Sequence, residues 1–238
     1  MWGGRSCRLP APQALSSEHR ADGKTVRPTA IIDAMTRILL CAMLAGLGLC
    51  AQDDGFVSLM PKRDIAEQWI AESAPADIWS VHDGVIFCKG KPNGFLRSKK
   101  SYGNFILRAE WRFEPEGWTE APPKWPNAGF FIFAHEVKDT WPRSLEVQGY
   151  HGEAGSLFGV RGGKVEGAKR GPFVTDRPPL GSWDRYEVTA RDGHVLVVLN
   201  GKLVNEGNNA VPSDGNICLQ SEGWPVQYRN VAVKELGK

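Results

Sequence analysis

The chain has 238 residues, 42% hydrophobic and 24% charged, which suits one domain of β-sandwich size plus a dispensable terminus. Residues 1–51 hold six Lys/Arg and three Asp/Glu out of 29 and 27, so residues 52–238 carry 23 basic against 24 acidic groups, a net of −1. A near-neutral domain without clustered Lys/Arg excludes a general attraction to nucleic acid or to anionic membranes.

Residues 1–34 are rich in Arg, Pro, Ser and Ala without periodicity and read as a disordered leader or a mis-started upstream segment. Met35-Thr36-Arg37 is followed by an apolar run of about fourteen residues that ends at Ala51. A positive charge, a short apolar run and a small residue make a secretory signal over 35–51, and the run is too short to span a bilayer. The expected product is an exported periplasmic or extracellular protein of residues 52–238, with no stable membrane insertion after signal removal. A lipoprotein anchor on Cys50 is the alternative, disfavoured because Leu49 rather than a small residue precedes it. Cys7, Cys41 and Cys50 lie in the removed part, which leaves Cys88 and Cys218 as either one disulfide or two buried thiols.

Beyond residue 52 the apolar pattern is short, of period two, and punctuated by turn dipeptides, which predicts antiparallel strands. Only Asp64–Glu72 has helical character. Asp83-Gly84, Asp192-Gly193 and Asn200-Gly201 each sit between alternating runs and predict two-residue hairpin turns. Further strands are expected at Phe105–Phe113, Gly129–Ala134, Ser144–Gln148, Gly215–Gln220 and Val226–Leu236. The loop Glu114–Asn127, with Trp118, Trp125 and four prolines, is too stiff for a linker and is expected to shape a cleft wall. About ten strands with one helical turn predict an all-β, two-sheet antiparallel sandwich, with no internal repeat and no second domain.

Alternation in Phe105–Phe113 places Arg108, Glu110 and Arg112 on one face, most simply a solvated charge ladder. Ser144–Gln148 alternates the other way and presents Ser144, Glu146 and Gln148 together, polar groups about 7 Å apart along a strand. Such a stripe can grip vicinal sugar hydroxyls or hold a general base, and it can also be an ordinary polar sheet face. Gln220 and Glu222 repeat the arrangement, and Glu146 with Glu222 offers the carboxylate pair that glycoside chemistry uses. Trp141 and Trp224 lie beside Pro or Gly, where an indole can face the C–H side of a sugar. His151 is the histidine nearest the Glu146 strand. The chain has no Gly-x-Ser-x-Gly elbow, phosphate loop or dinucleotide fingerprint, and no Cys-x-x-Cys or His-x-x-x-His ligand spacing. No cofactor is expected; Ca²⁺ is sometimes bound by sandwich folds, but no Asp-rich loop of clear ligand spacing supports it here.

Gly55-Phe-Val-Ser-Leu59, Trp79-x-Val-x-Asp-Gly84, Tyr102-Gly-Asn-Phe105, Leu107-Arg-Ala-Glu-Trp-Arg112, Asn127-Ala-Gly129, Leu145-Glu-Val-Gln148, Gly181-x-Trp183, Leu199-Asn-Gly201, Leu219-Gln-Ser-Glu-Gly223 and Tyr228-Arg-Asn-Val231 occur in this order. Over about residues 55–236 the chain thereby resembles the 3-keto-disaccharide hydrolase domain family. The resemblance implies a concanavalin A-like jelly roll and an exported enzyme acting on glycosides oxidised at C3. It also implies elimination, because a C3 ketone acidifies the C2 proton, the C1 group then departs, and water adds to the unsaturated sugar. On that resemblance Glu146 would be base or acid, and Arg112 or Gln148 would lie near the oxyanion. Glu110, Asn127, Gln220 and Glu222 would line the saccharide site. Two positions depart from the family pattern: Ala128 stands where Ser is frequent, and Glu222 where many members have His. A non-catalytic lectin-like module and a conventional two-carboxylate glycosidase are the competing readings.

Overall fold

The computed structural model describes residues 54–114, 126–173 and 177–237; the predicted leader, the signal segment, Trp118 and Trp125 lie outside them. All described residues belong to one compact unit, 53–238. In chain order the strands are β1 (Val57–Ser58), β2 (Trp69–Glu72), β3 (Trp79–His82), β4 (Val85–Cys88), β5 (Gly94–Tyr102), β6 (Phe105–Phe113), β7 (Gly129–Ala134), β8 (Val137–Lys138) and β9 (Trp141–Pro142). They continue as β10 (Ser144–Gln148), β11 (Leu157–Val160), β12 (Lys164–Glu166), β13 (Asp184–Arg191), β14 (His194–Leu199), β15 (Lys202–Val211), β16 (Gly215–Ser221) and β17 (Val226–Glu235). A nine-stranded antiparallel sheet runs β12-β15-β14-β13-β6-β17-β4-β3, with β1 added on β17, and a six-stranded sheet runs β11-β10-β7-β16-β5-β2. This is the two-sheet antiparallel sandwich expected from the pattern.

The hairpin turns form for the expected reason. Asp83-Gly84, Asp192-Gly193 and Asn200-Gly201 each have positive φ at both residues, the backbone that matches the twist of the flanking strands. Strand β6 buries Phe105, Leu107, Ala109, Trp111 and Phe113 and turns Arg108, Glu110 and Arg112 outward, as its alternation requires. The Asp64–Glu72 segment differs from expectation. It makes only a 3-10 turn, Ile65–Glu67, closed by a capping box between Asp64 and Glu67, and then extends into β2. Burial of Trp69, whose indole N–H donates to the Leu59 carbonyl at 2.9 Å, overrides local helical preference. The sequence pattern does not mark β1, β5, β8, β9, β11 or β12: β5 carries Arg97, Lys99 and Lys100, and the others are only two to four residues long, too short for a clean apolar alternation.

Aromatic rings from both sheets fill the core. The Trp111 and Tyr186 rings stack at 4.4 Å, and Phe130 of the facing sheet meets Trp111, Tyr186 and Tyr228 edge-on at 5.6 to 5.7 Å. The Tyr186 hydroxyl donates to the Gln148 carbonyl at 2.5 Å and accepts from the Gly155 N–H, and the Tyr228 hydroxyl donates to the Gln220 carbonyl at 2.7 Å. The nine-stranded sheet thus grips β10 and β16 of the other sheet at the positions of Gln148 and Gln220. Cys88 on β4 and Cys218 on β16 are buried free thiols in different sheets, so the buried-thiol alternative holds and the disulfide does not form.

Replacing Trp111 by Ala removes the centre of this cluster and is expected to lower unfolding free energy by about 3–5 kcal/mol. Arg108→Ala, on the outward face of the same strand, loses exposed ion pairs to Asp54 and Glu187 and a stacking contact over Phe56, and is expected to cost about 1 kcal/mol. Urea titration of the two variants checks the contrast.

Candidate active site

The two sheets differ on their outward faces. On β6 the outward residues are partly exposed, whereas β7, β10 and β16 of the six-stranded sheet are buried along their whole length on both faces. A covered outward face with polar side chains marks the floor of a groove.

Register builds that floor in two rows. In the first, Glu146 on β10 lies opposite Phe131 on β7, which lies opposite Cys218 on β16. In the second, Gln148 lies opposite Gly129, and the Gln220 side chain from β16 leans over that glycine. A Cβ at Gly129 would stand 2.6 Å from Gln220 Oε1 and 2.9 Å from the Val147 carbonyl, so only glycine lets the amide reach across. Reaching across, the Gln220 amide hydrogen-bonds the Glu146 carboxylate. Gln148 Oε1 accepts from the Tyr150 N–H at 2.8 Å, which orients that side chain.

Glu222 follows the end of β16 within electrostatic reach of Glu146. Asn127 precedes β7, and its neighbour Pro126 accepts a hydrogen bond from the His151 N–H at 3.1 Å, which brings Asn127 and His151 to one end of the groove. The Arg177 guanidinium holds the His151 carbonyl and pairs with buried Asp184. Among the described residues, Asn127 Oδ1, Gln220 Oε1 and Glu222 Oε2 are buried oxygens with no hydrogen-bond partner, three acceptors available to hydroxyl groups. Trp141 on β9 packs over Phe131 at 5.5 Å and Phe95 at 6.4 Å between ring centroids, forming an apolar wall beside the Glu146 row.

Electrostatics follow from burial. Glu146 is 7% exposed, and desolvation together with repulsion from Glu222 pushes its pKa up to about 8, against the Gln220 hydrogen bond and the charge of Arg170. Burial likewise raises Glu222 to about 7. Between about 7 and about 8 the two carboxyls together hold one proton, mostly on Glu146. Burial and then the Arg177 charge lower the pKa of His151, so its ring is neutral near pH 7.

Of the residues singled out in the sequence, Glu146, Gln148, Asn127, His151, Gln220, Glu222 and Trp141 come together. Glu110 and Arg112 do not. They lie on β6 in the opposite sheet, where Arg112 donates to Gln227 at 2.9 Å and stacks on Trp183, and Glu110 accepts from Arg229 at 2.7 Å. Their strand buries its other face in the core, so these charges point away from the groove. Trp224, in the link between β16 and β17, packs partly against the main core rather than beside Phe131. Sequence reasoning did not single out Phe95, Phe131 or Arg170. Phe131 reads as an ordinary residue of the expected strand Gly129–Ala134, whereas Phe95 and Arg170 sit in segments without clean periodicity. No group of three or more His, Cys, Asp or Glu able to hold a metal stands among the described residues, and no helix among them is long and apolar enough to cross a membrane.

An antiparallel sandwich with a carboxylate-bearing groove on one sheet defines a jelly-roll protein of the class that includes glycosidases and carbohydrate-binding modules. A protein of Parabacteroides distasonis described as a glycosyl hydrolase shares the fold at 21% identity, with a TM-score of 0.59 over 80% of this chain and 98% of that one. Carbohydrate-binding module CBM66 from Bacillus subtilis aligns at 13% identity and TM-score 0.53 over 71% and 96% of the two chains. Porphyranase B from Zobellia galactanivorans aligns at 9% identity and TM-score 0.52 over 76% and 90%. Comparison with curated proteins gives no match. Residues 55–234 match the 3-keto-alpha-glucoside-1,2-lyase-like domain, and the chain belongs to that family.

A carboxyl whose folded pKa lies above its unfolded value opposes folding as it ionises. The contribution of Glu146 is therefore lost as pH rises from its ordinary value of 4.5 towards about 8. Glu146→Gln is expected to match the parent near pH 4.5 and to exceed it in stability above pH 8, by up to about 5 kcal/mol. Thermal melts across that range read the difference.

Proposed function

We propose that this chain is an exported enzyme that cleaves glycosides already oxidised to the ketone at C3, by elimination across C1 and C2. The observation that supports this most is the Glu146–Glu222 pair: two buried carboxyls sharing one proton near neutral pH, in a groove that also carries unpartnered acceptor oxygens and an aromatic wall. Family membership adds the C3-oxidised substrate class.

The C2 proton of a 3-keto sugar is acidic because its conjugate base is an enolate, so a carboxylate is a strong enough base. The ionised member of the pair takes that proton. The enolate then collapses, the C3 carbonyl re-forms, a C1=C2 bond appears, and the C1–O bond breaks with its electrons on the leaving oxygen. The protonated member supplies a proton to that oxygen. Glu146, whose value of about 8 exceeds the about 7 of Glu222, is the stronger base of the two, and the reacting form is the one in which the shared proton sits on Glu222. Glu222 is then the acid, and in this chain it does the work of a proton carrier where many family members have His. Asn127 and Gln220 accept from sugar hydroxyls, and Trp141 faces a C–H surface. The same two carboxyls suit a conventional glycosidase, so the substrate decides between the readings.

Purified protein incubated with matched native and 3-keto disaccharides is expected to release sugar only from the oxidised one. Cleavage of the native sugar would mark a glycosidase, and binding of native glycan without product a lectin-like module. Glu146→Gln is expected to lower turnover about 10²–10⁴-fold. The rate is expected to be bell-shaped in pH, with limbs near the two carboxyl values of about 7 and about 8. Glu222→Gln removes the negative neighbour along with the acid, so the limb belonging to Glu146, read on exchange of the C2 proton rather than on sugar release, is expected to move to lower pH.

A further inference from the structure

We propose that Arg170 is the cation that binds the C3 oxygen of the substrate and stabilises its enolate, a role that rests on the elimination reading above. The proposal comes from position. Glu146 on β10 lies directly opposite Phe158 on β11, and the Arg170 guanidinium lies over the Phe158 ring, 3.7 Å from its centroid. Directly opposed side chains on adjacent strands stand about 5 Å apart, so the guanidinium lies one side chain's breadth from the base. Glu222 enters from the other flank, past the end of β16, with β7 between that strand and β10. Across the groove the order is Arg170, Glu146, Glu222. The reacting atoms of a 3-keto glycoside follow the same order, C3 oxygen, C2 hydrogen, C1 oxygen.

The backbone around Arg170 is fixed while its side chain is free to work. Lys169 donates its N–H to Asn205 Oδ1 at 3.1 Å, and its carbonyl accepts from Asn205 Nδ2 at 2.7 Å and from the Leu157 N–H at 3.2 Å. On the other side Gly171 donates to the buried Ser156 hydroxyl at 2.7 Å. Between these pins the Arg170 side chain is 59% exposed, and its ion pair to Glu153 spans 3.4 Å, a surface contact of small energy that an incoming oxyanion can displace. Arg112, the cation suggested by the sequence, is on the other sheet. In the step itself no atom of Arg170 is transferred. Its N–H groups hydrogen-bond the oxygen that becomes negative when Glu146 takes the C2 proton, which is where a preorganised donor accelerates reaction most.

The test follows two events on one substrate, a 3-keto glucoside in D₂O: exchange of the C2 proton, which reports enolate formation, and release of the C1 group. The parent is expected to do both. Glu222→Gln is expected to keep exchange and lose release. Arg170→Met is expected to lose both by about 10²–10³-fold in kcat with KM changed less. Arg170→Lys is expected to recover part of the rate. Glu153→Gln, which frees Arg170 from its ion pair, is expected to retain it. Because Arg170 is exposed, its variants should fold, which circular dichroism checks. If the parent exchanges and cleaves but Arg170→Met exchanges at the parental rate, the assignment of Arg170 is wrong and the elimination reading survives. If the parent neither exchanges nor cleaves the keto sugar, both fall together.

Discussion

Two phenol hydroxyls cross the core from one sheet to the other, and the groove depends on them. Tyr186 and Tyr228 stand on adjacent sides of β6, on β13 and β17, and their hydroxyls end on the carbonyls of Gln148 and Gln220. Those carbonyls belong to the two strands that flank β7, so the bonds fix how far apart the Glu146 strand and the Gln220 strand sit. Buried in an aromatic cluster, such hydroxyls need acceptors, and the strand carbonyls need donors there, so each satisfies the other at both ends. The groove is therefore held from behind, through the core, and its own polar face takes no part in that bracing.

That arrangement lets the groove carry groups that oppose stability. A carboxylate pair out of water is costly, and the protein relieves it by keeping one proton, by a single Gln220 donor and by a nearby guanidinium rather than by a full ion pair. A strong partner, such as Arg229 gives Glu110 on the other sheet, would hold the carboxylate charged and make it a poor proton acceptor. The contrast between Glu110 and Glu146 is a contrast between a carboxylate paired with a guanidinium and one whose pKa burial raises to about 8. Gly129 belongs to the same design, since an amide reaching over a neighbouring strand needs a position without a side chain.

Much of the site was legible before the fold. Alternation in Ser144–Gln148 placed Glu146 and Gln148 on one face, and the period-two rule makes that inference local. Among residues near strand ends, Asn127 was recognisable only through its family motif, because loop positions have no periodicity, whereas His151 was marked by its closeness to the Glu146 strand and Glu222 by its spacing from Gln220. The same alternation set Glu110 and Arg112 on a polar face of β6, but a strand's pattern does not reveal which sheet it joins. Arg170 had no local signal, because what matters about it is its stacking on Phe158, a residue opposite Glu146 only once β10 and β11 have paired.

The sequence by itself determined the strands with clean alternation, the positive-φ hairpins at Asp-Gly and Asn-Gly, the all-β class and the identity of the polar stripe, since each depends on neighbours two or three residues away. Tertiary structure decided which stripe faces the groove and which faces solvent on the far sheet. It decided that Cys88 and Cys218 stay apart, that Asp64–Glu72 becomes a turn and a strand, and that Glu222 meets Glu146. These outcomes turn on pairing between strands far apart in the chain and on the desolvation that follows, neither of which is written in any short stretch of residues.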